Sequence, residues 1–583
     1  MTRGKTGRGT SSASRPGKGA GAGAGAPPRI ELLAVTLLLA LHVTLAVWVA
    51  TRNSVTFDEN FHLPAGVVAL TRADFSSSYA QPPLARSLYA LAALAAGARL
   101  PDPAIASPGN ERGLGESFMR RNADRYQRVF LAGRLVAVAL STLLAALIWR
   151  AARSRYGVTA GLVALTAWSC SPEALAHGSL TGVDVPTALT FFGAILAGSR
   201  WLESGRFRHW LWCALWLAAA FLVRFSAVQV PVALGLLAVW FAFRGRLASC
   251  PRAVVGLVAL GVVAWLAVNA GYLFQGFGTP LGHIELHSPP FVALARRFGT
   301  MPVLLPEPYL RGLDYLASLA QPGLKTGYLL GEFTKRADWR YFPVAIAVKW
   351  PVGLLVLIAL RAVGSLLRRE ARAATDAVLL VPALVVVGSA MSSNLGFGVR
   401  YLLPALPFLI VWGSGLAKPG ASVASKPGGA GGMWRTVAVV LALAIPLEAA
   451  RALPYPLSFF NSFASAPGAG ERVVNDSNVD WGQGLIALRD DMRRLGIRRV
   501  HLSYHGTTDP SIYGIDHVTY TGDMPGPESD WLAISSYFYV GLPARVLTPD
   551  GYTAEPVRLD ARALWSRSAA THPAGCMWLF RLR

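Results

Sequence analysis

Asp58 and Glu59 stand side by side in Phe57-Asp58-Glu59-Asn60-Phe61-His62, a few residues after an apolar run ends at Ala50. A carboxylate at the edge of an apolar phase is partly desolvated, which strengthens it as a proton acceptor and suits a general base acting on a hydroxyl. The plainer reading is a helix cap at Asp58. His62, one helical turn on from Asp58, could complete a metal site, but ligand-type residues in one short stretch do not by themselves indicate a metal. Asp184 follows His177-Gly178-Ser179-Leu180-Thr181-Gly182-Val183, where the chain re-enters an apolar run. It either caps that helix, with Pro186 in the first turn, or faces the bundle as a functional acid.

Four cations complement these acids. Arg134 and Lys349 lie within apolar runs, Arg224 between two of them, and Arg400 just before another. A lipid phosphate is an anion at the same depth, and Arg or Lys there can hold it together with the charge it gains on leaving. Snorkelling to headgroups is the alternative, natural for Arg224 and Arg400 and harder for Arg134 and Lys349. Towards the C-terminus, Asp476-Ser477-Asn478-Val479-Asp480-Trp481-Gly482-Gln483 supplies Asp476, Asn478, Asp480, Trp481 and Gln483, types that contact carbohydrate by stacking and by hydrogen bonds to hydroxyls. His62 and His177 join them as candidate acceptor or sugar contacts. A turn network that merely holds a small domain together is an equal reading.

The elements that must position these groups belong to a membrane. Of 583 residues, 53% are apolar and 15% charged, outside the range of a soluble protein of this size. The net charge of +23 comes from small basic groups scattered between apolar runs, which argues against nucleic acid as a partner. Cys170, Cys213, Cys250 and Cys576 lack CxxC spacing, so neither zinc nor a disulfide framework is indicated. Residues 1–29 are Gly, Ala, Ser and basic, a composition that predicts a disordered tail.

Ile30–Ala50 is long enough to cross a hydrocarbon layer of roughly 30 Å and lacks a good cleavage site, so it reads as a retained first helix. Further spans are predicted at Val129–Trp149, Val158–Ala176, Val183–Leu202, Trp210–Val223, Phe225–Phe243, Ala253–Phe274, Phe342–Leu360, Ala377–Met391, Tyr401–Ala417 and Thr436–Ala450. Leu84–Ala98 carries Arg86 and would reach only roughly 22 Å as a helix, so it reads as a re-entrant or interfacial helix started by Pro82-Pro83.

Leaving that segment out puts the tail, Arg150/Arg153/Arg155, Arg200/Arg206/Arg208, Arg244/Arg246/Arg252, Arg361/Arg368/Arg369/Arg372 and Lys418/Lys426/Arg435 on one side, accompanied only by Glu203 and Glu370. That is the cytoplasmic pattern. The expected architecture is an all-α polytopic membrane domain over 30–450, with about eleven transmembrane helices. Its first outer loop covers 51–128 and its long outer loop 275–341. A small α/β extracytoplasmic domain follows over 451–583, with strand-like runs such as Val500-His501-Leu502-Ser503-Tyr504. Asp58, Glu59 and Asp184 then share one face with the cations, an arrangement that fits phosphoryl-linked sugar chemistry.

Taken in order, Asp58-Glu59, Pro82-Pro83-Leu84-Ala85, Gly133-Arg134-Leu135, Ala176-His177-Gly178 with Asp184, Val348-Lys349-Trp350-Pro351 and Val399-Arg400-Tyr401-Leu402-Leu403-Pro404 resemble the bacterial phospholipid-carrier-dependent glycosyltransferases. These are relatives of the protein O-mannosyltransferases and the lipid A aminoarabinose transferase, in glycosyltransferase family 39. The Asp-Ser-Asn-x-Asp-Trp-Gly-Gln tail resembles one bacterial branch. The resemblance implies the GT-C fold and an inverting hexosyl or pentosyl transfer from a polyprenyl-phosphate-linked donor to a lipid, glycan or protein acceptor. It implies a bacterial inner-membrane location with the N-terminus cytoplasmic, and no required cofactor. It assigns Asp58 as the base, Glu59 and Asp184 as orienting acids, and Arg134 to the carrier phosphate; Lys349, Arg400 and Arg224 join Arg134 there as cations at the same depth. Gln81 departs from the His or Asn usual before the Pro-Pro pair, Arg224 stands where relatives often have Lys, and no β-trefoil insert is visible, which puts protein O-mannosylation in doubt. A transporter or flippase is the competing class. It would show inverted repeats and helices broken at the midplane, and neither is visible in the sequence.

Overall fold

The computed structural model describes residues 28–582 apart from 106–107, 322, 324–326, 336–337, 368–372, 395, 397, 419–429, 523–524 and 549–550. All but the last two residues of the basic tail 1–29 lie outside the described residues, as do Arg368, Arg369, Glu370, Arg372 and Lys426.

The chain opens with α1 (Arg29–Arg52), then packs three shorter helices, α2 (Glu59–Arg72), α3 (Pro83–Ala95) and α4 (Glu111–Arg121), against one another and against α5 (Tyr126–Tyr156). α3 is the short helix read at Leu84–Ala98. Pro82 and Pro83 start it, since proline costs nothing where the first N–H groups have no partner anyway. Helices α6 (Val158–Ser169), α7 (Pro172–Gly178), α8 (Asp184–Ser204), α9 (Phe207–Val223), α10 (Gln229–Phe243) and α11 (Cys250–Gly271) follow. The α8–α9 hairpin turns at Gly205, whose φ of 62° is the left-handed conformation that glycine adopts without strain. After α12 (Pro289–Arg297) and α13 (Glu307–Leu319) come a short hairpin, β1 (Gly327–Leu329) and β2 (Glu332–Thr334), and the helices α14 (Tyr341–Lys349), α15 (Val352–Leu366), α16 (Ala373–Met391), α17 (Leu406–Ser414) and α18 (Ala430–Ala449).

Each predicted span falls on helix, but three are broken. Phe342–Leu360 is two helices, α14 and α15, bent by 117°. Pro351 cannot donate to the helical ladder and forces Trp350 into extended backbone, with ψ of 141°. Val158–Ala176 stops at Ser169 and restarts at Pro172. Tyr401–Ala417 begins as a 3-10 turn over Val399–Leu402 before α17 starts at Leu406. Five helices are by themselves long and apolar enough to cross a bilayer, or six with the bent pair, among the described residues. The chain is thus a multi-pass membrane protein.

The main apolar core runs through α5, α6, α8–α10 and α14–α18 around the fully buried Trp168. Away from it, Leu33, Leu37 and Leu41 of α1, Val254, Val255 and Val258 of α11, and Val440, Leu443 and Leu447 of α18 are exposed. Apolar side chains on both faces of a helix are what a lipid solvent permits.

The C-terminal region holds a four-stranded sheet built from β3 (Arg499–Ser503), β4 (Asp516–Thr519) and β5 (Trp531–Ser535), a small hairpin of β6 (Leu547–Thr548) and β7 (Gly551–Tyr552), and the last strand of the sheet, β8 (Met577–Arg581). The order is β4-β3-β5-β8. β3 is parallel to both its neighbours, and β8 is antiparallel to β5. The strand-like run at 500–504 is β3. This region is seated on the first interhelical loop: Ser54 N–H donates to Gln483 O (3.1 Å), Phe57 N–H to Trp481 O (2.8 Å) and Val55 N–H to Tyr513 Oη (2.9 Å).

Candidate active site

The first carboxylate met in the site is Glu59, and it is saturated. Its Oε1 accepts from Arg134 Nε (2.9 Å) and from the Thr181 N–H (2.9 Å) and hydroxyl; its Oε2 accepts from Arg134 Nη2 (2.6 Å) and from the Thr56 N–H (2.9 Å) and hydroxyl. The rest of the Arg134 guanidinium is equally occupied. Nη1 donates to Ala50 O (2.7 Å) and Asn53 O (2.8 Å), and Nη2 also to Ser54 O (2.9 Å). Both side chains are fully buried. Burial alone would push the Glu59 carboxyl up, but Arg134 overrides it and holds the group below the usual carboxylate range. Arg134 therefore presents no free donor to a phosphate, contrary to the role carried over from the resemblance, and Glu59 presents no free oxygen to an acceptor. Together they tie α5, the end of α1 and the 179–183 turn into one node.

Asp58 has the opposite surroundings. It precedes α2 without capping it by its side chain. Its Oδ2 accepts from Arg400 Nη1 (2.8 Å), and the side chain stays 27% exposed. The same Arg400 Nη1 lies 3.8 Å from Asp184 Oδ2, and Asp184 Oδ1 accepts from Arg224 Nη1. Asp184 is thus turned into the site from the first turn of α8, and the capping reading fails for its side chain. A chain of alternating charge results: Asp58, Arg400, Asp184, Arg224. His177 Nδ1 approaches Asp184 Oδ2 at 3.9 Å, and its Nε2 approaches Glu173 at 3.5 Å. Trp481 closes one side, its ring 4.1 Å beneath the Arg400 guanidinium and edge-on to His177. Tyr401 supports both Arg224 and Arg400 through its ring.

Lys349 does not join this group. Its three N–H donors go to Leu457 O (2.9 Å), Phe459 O (2.6 Å) and Asn478 O (2.6 Å), so it clasps the C-terminal segment to the α14–α15 break. Most of the C-terminal motif is engaged in the same way. Asn478 accepts from the Val399 N–H and donates to Tyr341 Oη and Asn475 O. Asp480 accepts from the Gly482 N–H and the Ser535 hydroxyl, Gln483 bonds Trp481 N, Val479 O and Ser458 Oγ, and Asp476 accepts from Ser477 N. Burial pushes the Asp480 carboxyl well above its ordinary range. Asn478, Asp480 and Gln483 therefore form the turn network, while Trp481 reaches the charged groups. The Asn478 bond to Val399 also fixes the residue next to Arg400.

His62 lies on α2 one turn beyond Asp58, buried, with Nδ1 lacking a hydrogen-bond partner. Burial lowers its imidazole to about 4, so it is neutral at physiological pH. Among the described residues, no three or more His, Cys, Asp or Glu side chains cluster as a metal site would require.

Two groups at the start of α3 were missed as site residues. Arg86 is buried, and Gln81 has a buried Oε1 without a partner. The signal for Arg86 was a charge inside a short apolar segment.

Residues 127–268 match the family described as dolichyl-phosphate-mannose-protein mannosyltransferase. That stretch, which carries Arg134, His177, Asp184 and Arg224, is similar to the family over about a quarter of the chain. No curated protein sequence matches the chain. Among solved structures it is similar to ArnT from Cupriavidus metallidurans bound to undecaprenyl phosphate, at 13% identity over 94% of this chain and 97% of that one, with a TM-score of 0.43. It is also similar to the S. cerevisiae Pmt1-Pmt2 protein O-mannosyltransferase complex bound to the sugar donor, at 14% identity over 52% of this chain and 39% of that one, TM-score 0.32. A further similarity is to the oligosaccharyltransferase AglB from Archaeoglobus fulgidus in complex with an inhibitory peptide and a dolichol-phosphate, at 13% identity over 90% and 74% of the two chains, TM-score 0.43.

Proposed function

We propose that this chain is an inverting membrane glycosyltransferase that moves a sugar from a polyprenyl-phosphate donor to an acceptor on the extracytoplasmic face of a bacterial inner membrane. Residues 30–450 form the transfer domain, and 451–583 form the extracytoplasmic domain that closes over it. The observation that carries the reading is the run Asp58, Arg400, Asp184, Arg224, which pairs a partly exposed carboxylate with two guanidinium groups at the helix ends. The family match over 127–268 supports the same chemistry.

In this mechanism Asp58 takes the proton from an acceptor hydroxyl, whose oxygen attacks the anomeric carbon from the face opposite the phosphate. The C–O bond to the polyprenyl phosphate breaks, and its electron pair leaves with the phosphate. Arg400 and Arg224 stabilise the charge that develops there. Arg400 is shared between Asp58 and Asp184, so an arriving phosphate competes for it and frees Asp58 to act as the base. Asp184 orients both guanidinium groups, and Trp481 holds the Arg400 plane. The Glu59–Arg134 node positions Asp58 without touching substrate.

The test is to incubate the purified chain with a panel of radiolabelled polyprenyl-phosphate sugars and extracted envelope acceptors. Transfer with inverted anomeric configuration is expected from one donor class. Movement of labelled lipid across vesicles without covalent transfer would overturn the proposal.

A further inference from the structure

Arg86 is 4% exposed, and its acceptors among the described residues are all neutral: Ser78 Oγ (2.7 Å), Ser78 O (3.4 Å) and Gln81 O. Its Nε has no partner. The carboxylate nearest in the network, Glu111, is reached only through the Ser78 hydroxyl, which Glu111 also binds (2.8 Å). Burial raises the Glu111 carboxyl and so favours its neutral form. Arg134, Arg224 and Arg361, the other buried arginines among the described residues, each contact a carboxylate directly. A buried guanidinium without a counter-charge is costly, and an anion brought by a ligand removes that cost.

The backbone places this group at the site. A side chain at Gly66 of α2 would meet Arg86 O at 2.2 Å, so glycine there lets α3 press against α2 at the level of Arg86. His62 lies one turn earlier on α2, and its imidazole stands in the fields of Asp58, Arg86, Arg400 and Asp184. His62 Nδ1, Gln81 Oε1, Arg86 Nε and Arg400 Nε are all buried polar atoms without partners. Buried polar groups in folded proteins are nearly always satisfied, so unpartnered atoms on His62 and on the two arginines whose charges it feels, together with Gln81, whose backbone carbonyl accepts from Arg86, mark the place of a polar ligand.

We propose that Arg86 is a contact of the donor's phosphate, taking the place that the motif resemblance gave to Arg134, with His62 and Gln81 facing hydroxyls of the attached sugar. The inference rests on the donor class proposed above. A diester phosphate brings the single negative charge that Arg86 lacks, and the arginine's planar donors suit its paired oxygens.

The test uses the full chain in detergent micelles, with a polyprenyl monophosphate and the matching polyprenyl alcohol as probes and melting temperature as the readout. The wild-type chain is expected to be stabilised by the monophosphate well beyond the alcohol. Arg86→Gln is expected to lose about ten-fold or more of monophosphate affinity, with alcohol binding and unliganded melting unchanged. Wild-type monophosphate affinity in Arg86→Gln would overturn the assignment. If that variant does not fold, Arg86→Lys decides: a phosphate contact changes the preference for monophosphate over alcohol, whereas a purely bracing arginine lowers melting alone and overturns the assignment. Failure of the wild-type chain to distinguish the two lipids would instead overturn the donor class itself.

Discussion

Asp58 and Glu59 are chain neighbours, each paired with an arginine from a distant segment, yet their surroundings differ in kind. Glu59 and Arg134 engage each other, five backbone carbonyl or amide groups and two hydroxyls, entirely out of solvent. Asp58 and Arg400 form one link of a chain that continues to Asp184 and Arg224, with Asp58 partly open and Arg400 Nε unpartnered. A charge whose every donor or acceptor is already engaged is a structural tie; one with capacity left over can receive a substrate. The number of buried ions around a cleft therefore says less about chemistry than how completely each is satisfied.

The contrast can be broken by experiment, and the largest effect is expected at Asp58. Asp58→Asn should cut transfer by about 10²–10⁴-fold, the range for loss of a general base, with melting close to wild type. A folded Asp58→Asn that transfers at the wild-type rate would end the distinction. For the saturated node the expectation is reversed. Arg134→Met should cost about 3–5 kcal/mol of stability, because it leaves Glu59 buried and unpaired; melting in detergent measures it. A normally stable Arg134→Met with a selective loss of donor binding would return Arg134 to the phosphate.

A third expectation concerns acid. His62 and His505 are both lowered by burial to about 4, against about 6.5 in an unfolded chain. Between these values the unfolded state binds more protons, so stability is undiminished above pH 6.5 and falls as pH drops towards 4, by up to about 3 kcal/mol for each group. His505 stacks on Tyr537 at 3.7 Å, so His505→Phe keeps the stack and should flatten part of that slope in melting measured from pH 7.5 to 4.5. An unchanged slope would show that the acid response arises elsewhere. The smallest effect is expected at Trp481. Trp481→Phe keeps an aromatic ring against Ala176, Leu180 and Leu457 but weakens the face beneath Arg400, worth about 0.5–2 kcal/mol, and should slow transfer several-fold with only a modest drop in melting. A large loss of stability would place Trp481 with the turn network instead.

Much of the fold was legible because lipid demands long apolar runs, and each of those runs is helix. The breaks were less legible. Pro351 was visible, but apolar residues on both sides of it read as one span, and the 117° bend follows only from the backbone. In the site, Asp58, Asp184, Arg224 and Arg400 were readable as charges at the ends of apolar runs. Lys349 was readable in the same way, yet its three carbonyl partners come from residues more than a hundred positions away, and no local pattern announces them. Asn478, Asp480 and Gln483 are types that bind sugars and types that close turns. Composition cannot choose between the two, because the choice depends on whether their partners are already supplied by the protein.

The amino-acid sequence by itself determined that this chain lives in a bilayer, where its helices begin, and which ionisable groups lie near their ends, since hydropathy and charge spacing act locally. Tertiary structure decided which of those groups remain available, because a hydrogen-bond donor is free or engaged only with respect to atoms that folding brings to it. Asp58 and Glu59 share the same sequence context, and only the different partners that folding brings to each set their roles apart.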